Sequence, residues 1–146
     1  MNTRHVPDLE HCQELDRLCK EKGIVVPETE FYWIVNNETL SSHLVFKSKH
    51  GWYIRDNGGE YRTDRYPKGV ISIIPAPLVS EQGVFMKDKG MGVTAHSAHS
   101  GWWATGGEWI VSNQKYLKTI EDKDSWPNCL QKMLNYLIAE GIITTL

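Results

Sequence analysis

Two histidines three residues apart, His96 and His99, are the residues in this sequence best suited to chemistry. A His-x-x-His pair can bind zinc when both imidazoles lie on one side of a helix. Gly90, Gly92 and Gly101 argue against a helix here, and on a strand residues three apart belong to opposite faces. No cysteine or acidic pair stands close by in the sequence to complete a site. The sequence therefore predicts no metal and no other cofactor.

The same two histidines define an enzymatic alternative, a small hydrolase acting on phosphodiester or nucleotide substrates through His96 and His99 as base and acid. That chemistry needs paired His-x-Ser/Thr elements, and His96-Ser-Ala and His99-Ser-Gly both depart from the pattern at the third position. The Gly-x-Ser-x-Gly elbow, the Walker spacing and Gly-x-Gly-x-x-Gly are also missing from the sequence. No spacing supplies a nucleophile, a base and an anion stabiliser together, so the sequence favours a protein without catalytic activity and assigns no catalytic residues.

The segment from Thr94 to Trp109 combines aromatic residues with glycines in a way that suits binding. Glycine allows the backbone to approach a ligand closely, and aromatic residues are frequent anchors of binding interfaces. The predicted binding residues are His96, His99, Trp102, Trp103 and Trp109. The alternative is that these glycines form the turns and bulges of a curved hairpin.

Charge and hydropathy exclude several classes of partner. The net charge of −2 gives no strong attraction to nucleic acid or to anionic membranes. Residues 47–68 carry six Lys/Arg against three acidic residues, with tryptophan and tyrosine between them. Basic and aromatic hairpins bind single-stranded nucleic acid, but this excess is small and cross-strand ion pairs also account for it, so nucleic-acid binding is not predicted. No apolar run approaches the roughly 20 residues of a membrane span.

Length and cysteine content predict the organisation of the chain and its compartment. With 146 residues, the sequence predicts a single domain over 1–146. The three cysteines are an odd number, which favours reduced thiols in a cytoplasmic protein. The N-terminus carries no apolar segment of the kind found in a signal peptide.

Two amphipathic helices are predicted at the ends of the chain. The first runs from about Asp8 to Lys22 and ends at Gly23. The second begins after Ser125 (or Asp124) and ends near Gly141. Its apolar residues recur at the spacing of one helical face and are Leu130, Met133, Leu134, Leu137 and Ile138.

The sequence between these helices reads mainly as short strands. The predicted strands cover 31–35, 39–46, 52–55, 60–63, 70–74, 109–111 and 116–120, with one or two helical turns within 78–86. Pro75 and Pro77 are expected to stop the strand at 70–74, because proline cannot donate to a ladder. The predicted fold class is α+β, an antiparallel sheet of several short strands with the N-terminal and C-terminal helices packed on one face.

Three segments resemble, in the same order, small uncharacterised proteins encoded by phages and mobile elements of gut Bacteroidales bacteria. The segments are 18–33, the run Ile74-Pro-Ala-Pro77, and 130–138. The resemblance covers about a third of the chain and implies a helix–sheet–helix plan and a bacterial host cytoplasm, with no activity attached. It implies an accessory protein that binds a host protein or a small, nucleotide-like ligand.

The excess of Trp and Tyr over Phe, six and six against three, favours half-buried surfaces and interfaces. A small domain with this composition and little net charge is expected to form a homo-oligomer, most simply a two-fold dimer.

Overall fold

A computed structural model describes residues 5–48, 51–56, 59–62, 70–86, 102–105, 108–113, 118–122 and 125–146. These residues contain three helices, α1 (Leu9–Lys22), α2 (Val79–Met86) and α3 (Trp126–Ala139). They also contain eight strands: β1 (Phe31–Asn36), β2 (Ser42–Ser48), β3 (Gly51–Asp56), β4 (Gly59–Arg62), β5 (Ile71–Ala76), β6 (Trp102–Thr105), β7 (Glu108–Asn113) and β8 (Lys118–Asp122).

The strands pair antiparallel in two sheets, one with the order β4-β3-β2-β1-β5 and one with the order β6-β7-β8. Helix α1 packs on the larger sheet at β5, and α3 packs on β7 and β8 of the smaller sheet. The two helices also pack against each other, so they connect the sheets. The predicted α+β class, an antiparallel sheet with the N-terminal and C-terminal helices packed on it, is confirmed. The structure divides the strands into two sheets, with α1 on one and α3 on the other.

The ends of α1 and α3 follow from their capping residues. Ser125 accepts a hydrogen bond from the Asn128 amide at 3.2 Å, which identifies Ser125 as the N-cap of α3. Gly23 and Gly141 have φ angles of 69° and 72°, the left-handed conformation that ends a helix. Beyond Gly23, the Ile24 amide donates to the Cys19 carbonyl at 2.8 Å and closes the cap of α1. Both glycine caps were predicted from the sequence and are confirmed.

Asp8 stands at the N-cap of α1, but its carboxylate does not cap that helix. Asp8 Oδ2 accepts from Asn128 Nδ2 at 2.8 Å, and the Asp8 amide donates to Asn128 Oδ1 at 2.7 Å. This reciprocal pair joins the start of α1 to the first turn of α3, 120 residues further along the chain.

The main apolar core lies between the three helices. The apolar face predicted for α3 is buried: the exposed fraction is 0% for Met133, Leu134, Leu137 and Ile138 and 1% for Leu130. Leu15, Leu18 and Cys19 of α1 and Met86 of α2 join the same cluster. A second cluster fills the space between α1 and the larger sheet and consists of Val6, Cys12, Val35, Leu44, Ile74 and Ala76.

A chain of buried amides crosses the interface of α2, α3 and α1. Gln82 Nε2 donates to the Pro127 carbonyl and to Gln131 Oε1, both at 3.0 Å. Gln131 Nε2 donates to Asn135 Oδ1 at 2.8 Å, and Asn135 Nδ2 donates to the His11 carbonyl at 3.0 Å. Both ends of this series of hydrogen bonds are backbone carbonyls, which can only accept. The positions of the oxygen and nitrogen atoms in each side-chain amide are therefore determined. Gln82 Oε1 is then left without a donor among the described residues.

Candidate functional site

The residues predicted to bind a ligand or partner are placed only in part by the structure. His96 and His99 lie outside the described residues. Trp102 and Trp103 belong to β6, where they pair with Val111 and Ile110 of β7, and Trp109 of β7 pairs with Ala104. Adjacent strand positions belong to opposite faces of a sheet, so Trp102 and Trp103 do not share a face. The binding role of these five residues stays a prediction.

The described residues contain a second candidate site, at the hairpin that joins β1 to β2. We call residues 36–41 the hairpin tip. Asn36 organises it: its amide donates to the Ser41 carbonyl at 2.9 Å, and its carbonyl accepts from the Leu40 amide at 2.8 Å. Its side-chain Oδ1 also accepts from the amides of Glu38 and Thr39, at 2.9 and 3.1 Å. The backbone of the tip is therefore held by its own hydrogen bonds.

Further bonds fix the hairpin tip to β5. The Asn37 amide donates to the Val70 carbonyl at 2.8 Å, and the Ser72 hydroxyl donates to Asn37 Oδ1 at 2.9 Å. Within the tip, the hydroxyls of Thr39 and Ser41 lie 2.9 Å apart and share a hydrogen bond. The tip is thus joined to the sheet by hydrogen bonds, so a side chain on it is presented in a defined position.

Leu40 is that side chain. Its φ angle is 61°, and it is the single described residue other than glycine with a positive φ. The left-handed conformation costs an L-residue with a Cβ about 1–2 kcal/mol, and asparagine or glycine is the usual occupant. The Leu40 residue is also 77% exposed. Leu40 therefore combines an unfavourable backbone conformation with an apolar side chain exposed to water. Strained backbone conformations of this kind cluster at functional sites.

The second element of this site is the side of β5 that faces away from β1, which we call the β5 edge. In an antiparallel pair, every second residue of β5 hydrogen-bonds to β1 through both its N–H and its C=O. The bond from the Asn37 amide to the Val70 carbonyl shows which residues these are. The backbone N–H and C=O groups of Ser72 and Ile74 therefore point toward β1. The backbone groups of Ile71, Ile73 and Pro75 point to the β5 edge. In the part of the chain that the structure describes, β5 has no neighbouring strand on this side.

This arrangement corrects the expectation that Pro75 stops the strand after Ile74. β5 runs to Ala76, because Pro75 occupies a position whose backbone nitrogen faces away from β1. Proline is tolerated at such edge positions, since no ladder bond is lost there. Pro75 therefore limits the N–H donors of the β5 edge to Ile71 and Ile73, while its own carbonyl can still accept a hydrogen bond.

The amides of β5 should exchange with solvent in an alternating pattern. We expect slow exchange at Ser72 and Ile74, whose N–H groups bond to β1, and fast exchange at Ile71 and Ile73. Amide hydrogen exchange followed by NMR measures this directly. Slow exchange at Ile73 in the isolated protein would show that the β5 edge is already occupied and would contradict this description.

Apolar surface and negative charge both collect at this part of the sheet. Ile73, on the β5 edge, is 40% exposed, and the hairpin tip meets β5 at its first residues. Residues 24–46 and 70–86 carry four glutamates, at positions 28, 30, 38 and 81, and no Asp, Lys or Arg, while Lys47, Lys68 and Lys87 stand just outside these ranges in the sequence. Glu38 belongs to the hairpin tip. Glu81 lies at the opposite end of β5, where its carboxylate accepts from the amides of Leu78 and Glu30 at 2.8 and 3.1 Å.

Two of the three cysteines, Cys12 and Cys19, are buried thiols without the features of a reactive site. Burial raises the pKa of the Cys12 thiol far above its usual range, and the thiol donates to the Pro7 carbonyl at 3.5 Å. Burial also raises the pKa of Cys19, with the carboxylate of Asp16 as a smaller cause. Both thiols stay protonated at neutral pH, and a protonated thiol is a poor nucleophile. Within the described ranges, no three His, Cys, Asp or Glu residues are grouped to hold a metal ion.

Sequence reasoning missed Leu40 because it assigned the residue to the second strand of the hairpin. The second strand was predicted to begin at Thr39, whereas Asn36 organises a loop that extends to Ser41. The polar residues on both sides of Leu40, Thr39 and Ser41-Ser42, were the available indication of a longer loop.

Comparison with protein-family models, with curated proteins and with solved structures finds no match to this chain. No helix in the described ranges is long and apolar enough to cross a membrane.

Proposed function

We propose that this protein is a non-enzymatic binding protein that docks on a partner protein through the hairpin tip. The proposed partner is a protein of a bacterial host cell. The single observation that carries the proposal is Leu40, an exposed apolar side chain held in a left-handed backbone conformation. Insertion into an apolar pocket would reward this side chain, because burying a leucine contributes about 1.5–3 kcal/mol.

The shape of the site favours a protein over a small ligand. A small ligand is bound in a concave site that covers most of its surface. The hairpin tip projects from the end of a sheet, so its complement is a pocket on another macromolecule. The hydrogen bonds that hold the tip also support the proposal, because a preorganised anchor loses little conformational entropy on binding.

Replacement of Leu40 by asparagine should separate stability from binding. Asparagine tolerates the left-handed conformation, so L40N should raise the free energy of unfolding by about 0.5–1 kcal/mol. Removal of the apolar anchor should at the same time abolish retention of the partner. Urea denaturation measures the first effect, and co-purification of partner from a lysate of the source cells measures the second.

The matched control is Val25, which is 83% exposed in the connection between α1 and β1. V25N also removes an exposed apolar side chain, but it should leave the partner bound. A stabilised L40N protein that still retains the partner would contradict the proposal. Equal loss of partner in both variants would also contradict it, because any exposed apolar group would then serve.

A further inference from the structure

We infer that the β5 edge binds an extended segment of the partner protein as an added antiparallel strand, with basic residues at both ends of that segment. The inference rests on the proposed binding function, since the hairpin tip adjoins the first residues of β5. It depends on a separate observation, the outward-facing backbone groups of Ile71 and Ile73.

The β5 edge has the features of a strand acceptor. Proteins usually protect an exposed edge with charged side chains, bulges or a covering element. The sequence of β5, Ile71-Ser-Ile-Ile-Pro-Ala76, contains no charged residue. Pro75 protects the end of the edge and leaves the N–H and C=O groups of Ile71 and Ile73 to pair with a guest strand. Main-chain bonds of this kind supply affinity in strand addition, and alternate side chains supply specificity.

The length and side-chain preference of the guest strand follow from this register. From Ile71 to Pro75 the edge spans roughly 13 Å, at about 3.3 Å per residue. A guest of about five residues therefore covers it. The residue opposite Ile73 lies on the same face as the half-exposed Ile73 side chain. That position favours a β-branched or other apolar residue.

Charge determines the ends of the guest strand and argues against a second copy of this chain as the guest. Glu38 lies beyond one end of β5, and Glu30 and Glu81 lie beyond the other. Lysine or arginine at both ends of the guest would complement these carboxylates. Two copies paired antiparallel through their β5 edges would instead bring the glutamates of one copy toward those of the other. Centred on Ile73, that pairing would also place Pro75 opposite Ile71 and lose a hydrogen bond on each side.

Selection from a displayed library of random 12-residue peptides tests the inference on the intact protein. We expect enriched peptides to carry a short β-branched core between basic residues. The I73P variant should bind the best peptide at least tenfold more weakly than the wild-type protein does. This substitution removes an N–H that points to the β5 edge and leaves the hydrogen bonds between β5 and β1 in place. I73P should fold, because this N–H does not bond to β1. I74P, by contrast, removes a bond to β1 together with a buried side chain of the second cluster and should lower the melting temperature.

The outcomes distinguish this inference from the proposed function. If I73P leaves peptide affinity unchanged, or the library yields no binder, strand addition is wrong, while L40N still tests the tip. If I73P prevents binding of the native partner and L40N does not, the proposed role of the tip fails and strand addition stands. If light scattering shows a dimer that I73P converts to a monomer, the guest is a second copy, and the inference about a basic partner segment is overturned.

Discussion

Replacement of Leu134 by alanine should lower the free energy of unfolding by about 2–5 kcal/mol, the usual range for a fully buried leucine. Leu134 is 0% exposed and lies in the cluster formed by α1, α2 and α3. Because the surrounding side chains come from three helices, the cavity cannot close without moving one helix relative to another. Urea denaturation followed by circular dichroism measures the loss.

Glu140 provides the control for Leu134. It follows the last residue of α3 and is exposed, so E140A should change the free energy of unfolding by no more than about 0.5 kcal/mol. A loss below about 1 kcal/mol for L134A would show that the three helices do not form the principal core.

Replacement of Gln131 by methionine should cost about 2–3 kcal/mol, although methionine has a similar size and is apolar. Gln131 is 0% exposed and connects Gln82 to Asn135. The substitution leaves a buried N–H of Gln82 and the buried Oδ1 of Asn135 without partners. A buried polar group without a partner carries a desolvation penalty of about 1–3 kcal/mol.

A double-mutant cycle identifies the buried chain as the cause. In the double variant Q82M/Q131M, the unpaired Gln82 N–H disappears together with Gln82 Oε1, which already has no donor. The double variant should therefore lose less stability than the two single variants added together. Strict additivity would show that the two amides are not coupled and would contradict the hydrogen-bonding scheme described for them.

The helices could be predicted from the sequence because their signals are local. Gly23, Ser125 and Gly141 define helix ends through the backbone of a few neighbouring residues, and the periodicity of Leu130 to Ile138 defines a buried face. The role of Asp8 could not be predicted, because its carboxylate pairs with Asn128, which is 120 residues away in the sequence.

The strands were harder to predict because strand pairing is not local. β5 continues through Pro75 only because the phase of its pairing with β1 turns that nitrogen outward, and sequence alone does not reveal that phase. The division into two sheets has the same origin. Short alternating segments predict strands, but the sheet to which each strand belongs is defined by its pairing partners, which are not visible in the sequence.

The candidate site depended on three-dimensional information of a different kind. The sequence composition favoured His96, His99 and the tryptophans as binding residues. Leu40 is distinguished instead by its left-handed backbone conformation, which composition does not show. Leucine rarely adopts a left-handed φ, so the residue type at position 40 does not predict one. That φ arises when the Asn36 carbonyl accepts from the Leu40 amide and the tip is anchored to β5.

Site-specific photo-crosslinking shows whether position 40 contacts the partner protein. Photo-leucine, a diazirine analogue that keeps the size and shape of leucine, placed at position 40 and irradiated in a lysate of the source cells should give one discrete adduct, competed by excess wild-type protein and not by L40N. The same label at position 25 should not give this adduct. Identical products from positions 40 and 25, or equal competition by L40N, would contradict docking through the hairpin tip.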